Sequence, residues 1–290
     1  MTRHNLRYGI LLMVAATLAL AIMDGVSRHL AGRYNVFMVV AVRYWFFAAF
    51  VLVLSARRAG GLRRVAATPQ PGWQILRGVL LAGEVCVTVA AFVWLGLIET
   101  HAIFASFPLM IAALSGPLLG ESVGWRRWLA IAVGFVGILI ILQPGSRVIS
   151  PAALIPLAAA FVYALYGLLT RFVARRDDAA TSFFWTGVAG AVVLTPLGIW
   201  FWQPLSPGDW GWMAALSVIS VLGHWLLIKS YEQAEASKVQ PFSYLQLVFV
   251  TVIGVAVFDE SIGWPLITGT AIVVAAGVFS LGRTTGRVAD

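Results

Sequence analysis

Four ionisable side chains fall within long apolar stretches of the sequence: Asp24, Arg43, Glu84 and His224. A charged group in hydrocarbon is costly, so each of these residues is a candidate for function. Glu84 is the clearest case, because the nearest cation on its own stretch is Arg77, seven residues earlier. Its carboxyl group could take up a proton or hold a cationic group of a solute. It could also stay protonated and donate a hydrogen bond to a neighbouring helix.

Asp24 and Arg43 lie at compatible depths if their stretches are neighbouring helices, since each residue adds about 1.5 Å. They could form a buried pair that locks two helices, or a pair that a solute or a gating motion breaks. His224 suits a proton-linked step, although a lone membrane histidine can also be a neutral hydrogen-bonding group. We expect no metal site and no cofactor, because the remaining histidines fall near the ends of the apolar stretches or outside them: His4, His29 and His101.

Aromatic residues could complete a solute-binding wall. The chain has 12 Trp, 17 Phe and 7 Tyr, most of which we expect at lipid-facing or interfacial positions. Trp94, Tyr163, Tyr166 and Tyr244 lie deeper, and Tyr163 and Tyr166 share a helix face because they are three residues apart. Together with Gln246 they could stack a planar or cationic solute. For each aromatic residue taken alone, core packing is the simpler interpretation, and the wall that they form together is a hypothesis.

A further set of residues could act as gates or hinges. Proline inside a helix frees backbone groups and kinks the helix, and in carriers such breaks border the binding site. Pro108, Pro117 and Pro241 interrupt two of the apolar stretches in this way. Glu121 and Glu260 end those stretches, and we expect them to have structural or gating roles.

The composition indicates the elements that must position these residues. Hydrophobic residues make up 60% of the 290 and charged residues only 11%, whereas a soluble domain is nearer half apolar and a quarter charged. The chain is therefore expected to lie in a lipid bilayer as an all-α membrane protein, because its apolar segments have the length of helices and lack period-two alternation. Ten segments qualify as spans: 7–29, 36–55, 74–97, 102–120, 127–143, 151–172, 181–202, 210–231, 237–258 and 263–282.

The positive charges predict the orientation of these spans. With the N-terminus in the cytoplasm, 16 of the 20 Lys and Arg fall in inside segments and 3 in outside segments. Both termini are then cytoplasmic. The net charge of +8 is spread between the apolar runs, so it indicates topology and no nucleic-acid partner.

The sequence also contains an internal repeat. Glu121-Ser-Val-Gly-Trp125 returns as Glu260-Ser-Ile-Gly-Trp264, about 139 residues later, and residues 21–28 resemble residues 164–171. Two units of five spans follow, at 7–143 and 151–282. Because five is odd, the second unit must enter the membrane upside down. Inverted repeats of this kind are typical of transporters.

On these residues the chain resembles the EamA-type carriers of the drug/metabolite transporter superfamily over its whole length. The features that carry the resemblance are two five-helix halves, a glutamate closing each fourth span, and glycine-rich fifth spans. Several segments further resemble the subgroup that includes S-adenosylmethionine uptake carriers: Asp24 to Arg28, Arg43, Glu121 to Trp128, and Pro241 to Gln246. Riboflavin carriers and amino-acid exporters share the fold. The resemblance implies a secondary carrier with a central cavity and alternating access.

The sequence thus predicts a bacterial inner-membrane transporter of a small polar or zwitterionic metabolite, such as S-adenosylmethionine or riboflavin. Its expected partners are that solute, the lipid bilayer, and protons or a counter-substrate. Energy would come from a gradient or from exchange, because no P-loop motif is present. An amino-acid or drug exporter of the same fold is the alternative, and a membrane scaffold is a more remote one. An enzyme is not expected, because no cluster of catalytic groups shares one depth.

Overall fold

A computed structural model describes residues 6–57, 60–120, 124–142, 154–233 and 239–281. All regular structure in these ranges is helical and no strand occurs in them. These ranges contain twelve α-helices and one 3₁₀ turn, Gln240–Tyr244. The helices are α1 Leu6–Ala31, α2 Val36–Ala56, α3 Gly61–Ala66, α4 Pro71–Trp94, α5 Leu97–Phe104, α6 Phe107–Leu119, α7 Trp125–Leu142, α8 Leu154–Val173, α9 Ala179–Trp200, α10 Pro207–Gln233, α11 Leu245–Phe258 and α12 Trp264–Leu281.

Seven of these segments are long and apolar enough to cross a membrane. They are α1, α2, α4, the joined α5 and α6 (Leu97–Leu118), α8, α9, and α10 as far as Leu227. Three shorter apolar helices, Trp128–Leu142, Phe242–Phe258 and Trp264–Phe279, occupy the places of the fifth, ninth and tenth expected spans. The prediction of a helical, multi-pass membrane protein is therefore confirmed. The number ten and the cytoplasmic termini stay predictions.

The expected fourth and ninth spans are both broken. α5 ends at Phe104 and α6 begins at Phe107, with Pro108 in the first turn of α6. The first turn of a helix tolerates proline, because its N–H would have no partner there in any case. Pro241 lies in the second break, in the 3₁₀ turn that leads into α11, although the repeat position of Pro108 is occupied there by Leu247. Pro117 breaks nothing, since α6 continues through it to Leu119.

The packing of the helices repeats itself between the two halves of the chain. α1 packs against α10 and α11, and α8 packs against α4 and α6. In terms of the expected spans, the first span packs against the eighth and ninth, and the sixth span packs against the third and fourth. The second set of contacts is the first set with the two halves of the chain exchanged. The second spans of the two halves, α2 and α9, pack on each other, and so do the fifth spans, α7 and α12.

Small residues allow these last two contacts to be close. A Cβ built on Gly137 of α7 would lie 2.8 Å from the carbonyl oxygen of Gly269 in α12. A Cβ on Gly269 would lie 2.6 Å from the carbonyl oxygen of Gly137. The two backbones therefore touch where the helices cross, as small residues permit in membrane bundles. At the α2–α9 contact, the ring of Tyr44 occupies the space that a side chain at Gly190 would need.

Candidate functional site

A cavity of about 290 Å³ lies at the centre of the bundle. Helices from both halves of the chain line it, including α2, α5 and α6. Eight of the residues singled out from the sequence line this cavity: Asp24, Arg43, Glu84, Pro108, Tyr163, His224, Tyr244 and Gln246.

Asp24 contacts polar partners from two other helices. Gln246 donates a hydrogen bond of 3.0 Å to its Oδ2 atom, and the Nε2 atom of His101 lies 3.1 Å from the same oxygen. The His101 contact has ion-pair distance but lacks the alignment of a hydrogen bond. The ring of His101 stacks on Phe92, with 5.2 Å between centroids. Among the described residues Asp24 and Arg43 form no ion pair within 4.0 Å, and the gating role of such a pair stays a prediction.

His101 is the residue that sequence reasoning missed. It was placed near the end of the fourth span because that span was expected to begin at residue 102. Its helix α5 begins five residues earlier, at Leu97, so His101 lies more than one turn inside and is 8% exposed. The apolar run Leu97–Ile98 before Glu99 was the signal that could have moved the boundary.

Glu84 and Arg43 line the cavity without countercharges. The Glu84 carboxylate, in a side chain that is 4% exposed overall, accepts a 2.6 Å hydrogen bond from the Thr88 hydroxyl one turn further along α4. Within the described ranges, neither Glu84 nor Arg43 has an ion-pair partner within 4.0 Å. The two charges therefore share one cavity without touching each other.

His224 and Tyr244 both line this cavity. The Nδ1 atom of His224 lies 2.7 Å from the carbonyl oxygen of Ser220. A carbonyl only accepts, so Nδ1 carries the hydrogen and Nε2 is left as an acceptor when the ring is neutral. The Tyr244 hydroxyl is buried and has no hydrogen-bond partner among the described residues, and it packs against Gly277 of α12.

The two tyrosines of α8 have different surroundings. Tyr163 lines the cavity and packs edge-on against Phe107, with 4.8 Å between centroids. Tyr166 does not line it, contrary to expectation: its hydroxyl accepts a 3.3 Å hydrogen bond from Arg77, whose guanidinium lies over its ring. Although Tyr163 and Tyr166 lie on one face of α8, they are almost one helical turn apart along its axis, and only Tyr163 reaches the cavity. Trp94 is also outside the cavity, because it ends α4 with 68% of its surface exposed.

Arg77 forms a buried polar cluster away from the cavity. Its side chain is 2% exposed and donates hydrogen bonds to the Thr186 hydroxyl at 2.7 Å and to the carbonyl oxygen of Ser182. A further bond of 3.3 Å reaches the Thr170 hydroxyl. The cluster joins α4 to α8 and α9, so it connects the two halves of the chain.

Glu260 holds a second connection between helices. Its carboxylate accepts backbone hydrogen bonds from Leu97 at 2.7 Å and Ile98 at 2.9 Å, at the N-terminus of α5, and it forms an ion pair with Arg28 of α1. The Arg28 guanidinium also lies 4.1 Å above the ring centroid of Phe258.

Two other residues that we expected to act as gates do not line the cavity or cannot be placed. Pro117 is exposed on α6 outside the cavity lining, and Glu121 lies outside the described residues.

Apart from His101, the residues that line the cavity from the two broken spans occupy equivalent positions in the repeat. The spacing between the members of each pair is again about 139 residues. Those of the first break are Phe104, Ala105, Phe107 and Pro108. Those of the second break are Ser243, Tyr244, Gln246 and Leu247. The two breaks therefore contribute corresponding faces to one cavity.

The arrangement is suited to binding a small polar molecule. Charged and polar groups converge from several helices on an otherwise apolar and aromatic wall, as in small-molecule sites generally. In the part of the chain that the structure describes, no group of three or more His, Cys, Asp or Glu side chains could hold a metal ion.

Comparison with known proteins agrees with this geometry. A riboflavin transporter of Vibrio cholerae is 29% identical to this chain over 287 residues, covering 96% of this chain and 94% of the relative. An S-adenosylmethionine uptake transporter of Rickettsia prowazekii is 24% identical over 274 residues, covering 93% and 91%. A crystal structure with 19% identity covers 98% of this chain and 100% of its own, with a TM-score of 0.65, and shares the fold.

The model of the EamA-like transporter family matches the chain twice, at residues 7–143 and 150–282. Together the two matches extend over most of the sequence. The chain therefore belongs to the EamA-like transporter family and is a transporter, not an enzyme.

Proposed function

We propose that this protein is a secondary active transporter that moves a small polar or zwitterionic metabolite across the bacterial inner membrane by alternating access. The observation that carries the proposal is the central cavity, which both halves of the chain line and to which the two broken spans contribute four pairs of equivalent repeat positions. A site between two related halves can be exposed to either side in turn as one half moves against the other.

The proposed topology has ten spans, with residues 7–143 and 151–282 as two inverted units and both termini in the cytoplasm. The seven long helices, the three shorter apolar helices and the strong excess of inside Lys and Arg support it. The repeated packing pattern supports the relation between the two units. α2 with α9, and α7 with α12, are contacts between corresponding spans, as expected for helices next to a pseudo-two-fold axis.

The names of the relatives suggest two substrates for the first tests, S-adenosylmethionine and riboflavin. Both have planar ring systems, which would suit the aromatic side chains Tyr163, Phe104 and Phe107 at the cavity. Glu84 and His224 are our candidates for coupling to protons, because both lie in the cavity and both can change protonation.

The direct test is transport by the purified full chain in proteoliposomes. We expect saturable accumulation of one labelled solute, which excess unlabelled solute competes away, and no conversion of the solute to a product. Glu84→Gln should lower the initial rate at least tenfold. Glu99→Gln is the matched control, because it makes the same chemical change in α5 at a residue outside the cavity lining. Equal rates for Glu84→Gln and wild type would remove Glu84 from the mechanism. Failure of every solute to accumulate would contradict transport.

A further inference from the structure

Among the described residues, one acid and one base that line the central cavity have no ion-pair partner. Asp24 is not the unpaired acid, because His101 and Gln246 already contact its carboxylate. Glu84 has only the Thr88 hydroxyl as a hydrogen-bond partner, and Arg43 has no carboxylate within 4.0 Å among the described residues. Both side chains line the same space. A single bound molecule that carries both a positive and a negative charge could therefore pair with Glu84 and Arg43 at the same time.

We propose that this cavity selects solutes that carry both a carboxylate and a cationic centre, with Arg43 binding the carboxylate and Glu84 binding the cation. This inference rests on the proposed transport function and narrows its substrate class. It assigns Arg43 a role as a specificity-determining residue. Riboflavin, which has no carboxylate, would then be a poor substrate for this chain, although a relative is named for it.

The chemistry of the two groups favours this pairing. A guanidinium presents two parallel N–H groups that match the two oxygens of a carboxylate, which a neutral solute cannot replace. A single-charge cation would satisfy Glu84 and leave Arg43 desolvated without a partner. A buried charge without a partner carries a large penalty, so a solute lacking one of the two charges is rejected.

The rest of the wall fits the remainder of such a solute. Tyr163, Phe104 and Phe107 form one aromatic cluster, with ring centroids 4.8 to 5.4 Å apart. These side chains come from α5, α6 and α8, whereas Arg43 and Glu84 come from α2 and α4. The volume of about 290 Å³ admits a small molecule of metabolite size. A solute could therefore place its charged groups against α2 and α4 and its apolar or planar part against α5, α6 and α8.

The test compares molecules that differ only in the carboxylate. The pairs are S-adenosylmethionine with its decarboxylated form, tryptophan with tryptamine, and arginine with agmatine; riboflavin is added alone. Each is titrated against the detergent-purified full chain, and the dissociation constant is obtained from the rise in melting temperature. We expect the carboxylate-bearing member of at least one pair to bind roughly ten- to a hundredfold more tightly than its amine.

The variants identify the residue responsible. Arg43→Gln should bring the ratio of the two affinities to within about twofold, by weakening only the carboxylate-bearing member. Arg43→Lys should keep an intermediate ratio, because an ammonium is a point charge without the planar fork. Arg33→Gln is the matched control: Arg33 lies outside the cavity and contacts Asp209 at 3.4 Å, and its substitution should leave the ratio unchanged.

Three results would overturn the inference: equal binding of both members of every pair to wild type, survival of the ratio in Arg43→Gln, or binding of riboflavin while no pair member binds. If Arg43→Gln does not fold, the ratio of the two affinities measured on the wild-type protein still tests whether the cavity selects for a carboxylate. Transport of riboflavin alone in proteoliposomes would leave the proposed function standing and refute only the zwitterion inference. Absence of transport for every solute would refute both.

Discussion

The ion pair between Arg28 and Glu260 gives the most quantitative prediction for stability. Glu260 accepts two backbone hydrogen bonds, of 2.7 and 2.9 Å, at the start of α5 as well as binding Arg28. The side chains of Arg28 and Glu260 are only 18% and 12% exposed, so solvent screens their interaction weakly. A hydrogen bond to a charged group contributes about 1.5–3 kcal/mol, and removing one partner of a buried pair costs about 3–5 kcal/mol.

Glu260→Gln keeps the shape of the side chain and one carbonyl acceptor but removes the charge. We expect it to destabilise the protein by about 2–3 kcal/mol, which corresponds to a fall in melting temperature of roughly 5–10 °C. Arg28→Gln should cost less, about 1–2 kcal/mol, because Glu260 keeps its two backbone donors. The double variant should be more stable than the sum of the two single effects predicts, by at least about 1 kcal/mol.

The assay is thermal unfolding of the purified chain in one detergent, with all four proteins of the cycle at one concentration. Arg33→Gln serves as the charge-matched control, since the Arg33 side chain is 58% exposed and its pair with Asp209 should contribute little. A melting temperature of Glu260→Gln within 1 °C of wild type, or strictly additive single effects, would refute the assignment of this pair as a connection between α1, α5 and α11.

Three further outcomes follow from the structure. Arg77→Met should lower stability by about 3 kcal/mol in the same thermal assay, because it leaves buried acceptors at Ser182 and Thr186 without their donor; an unchanged melting temperature would count against this cluster. Gly190→Ala should cost about 1–3 kcal/mol through its clash with Tyr44, whereas Gly83→Ala, where a Cβ meets nothing within 4 Å, should be neutral or stabilising. Trp94→Ala should leave the transport rate within about twofold, because this exposed side chain lies outside the cavity and its removal should cost no buried packing.

The cost of burying charge was the most informative signal in the sequence. It singled out Asp24, Arg43, Glu84 and His224 from the apolar stretches, and all four line one cavity. Their roles in transport stay predictions. The same reasoning could not pair them, because depth along separate helices does not give the rotation of each helix. Asp24 therefore meets His101, and Arg43 lies apart from it.

Other features required the three-dimensional packing. The fourth span begins at Leu97, and an error of five residues in that boundary concealed His101. Tyr166 shares a helix face with Tyr163, yet its hydroxyl accepts a hydrogen bond from Arg77, which the sequence indicated only as the nearest cation to Glu84 on its own stretch. The short helix α3, Gly61–Ala66, lies in a polar connection that has no apolar periodicity to predict it.

The crossing of α7 over α12 has a consequence for the height of conformational barriers. Interlocked side chains must leave one set of grooves and enter another when packed helices turn past each other, which gives packed cores their discrete states. At Gly137 and Gly269 neither residue contributes a side chain, although Ile141, Ile272 and Val273 pack beside the two glycines, so a rotation here has fewer side chains to repack than one at an ordinary crossing. A larger share of the resistance to motion then lies in the polar connections elsewhere, such as Arg28 with Glu260. Variants of those connections should change the rate of interconversion more than any variant that only trims the apolar surface of α7 or α12.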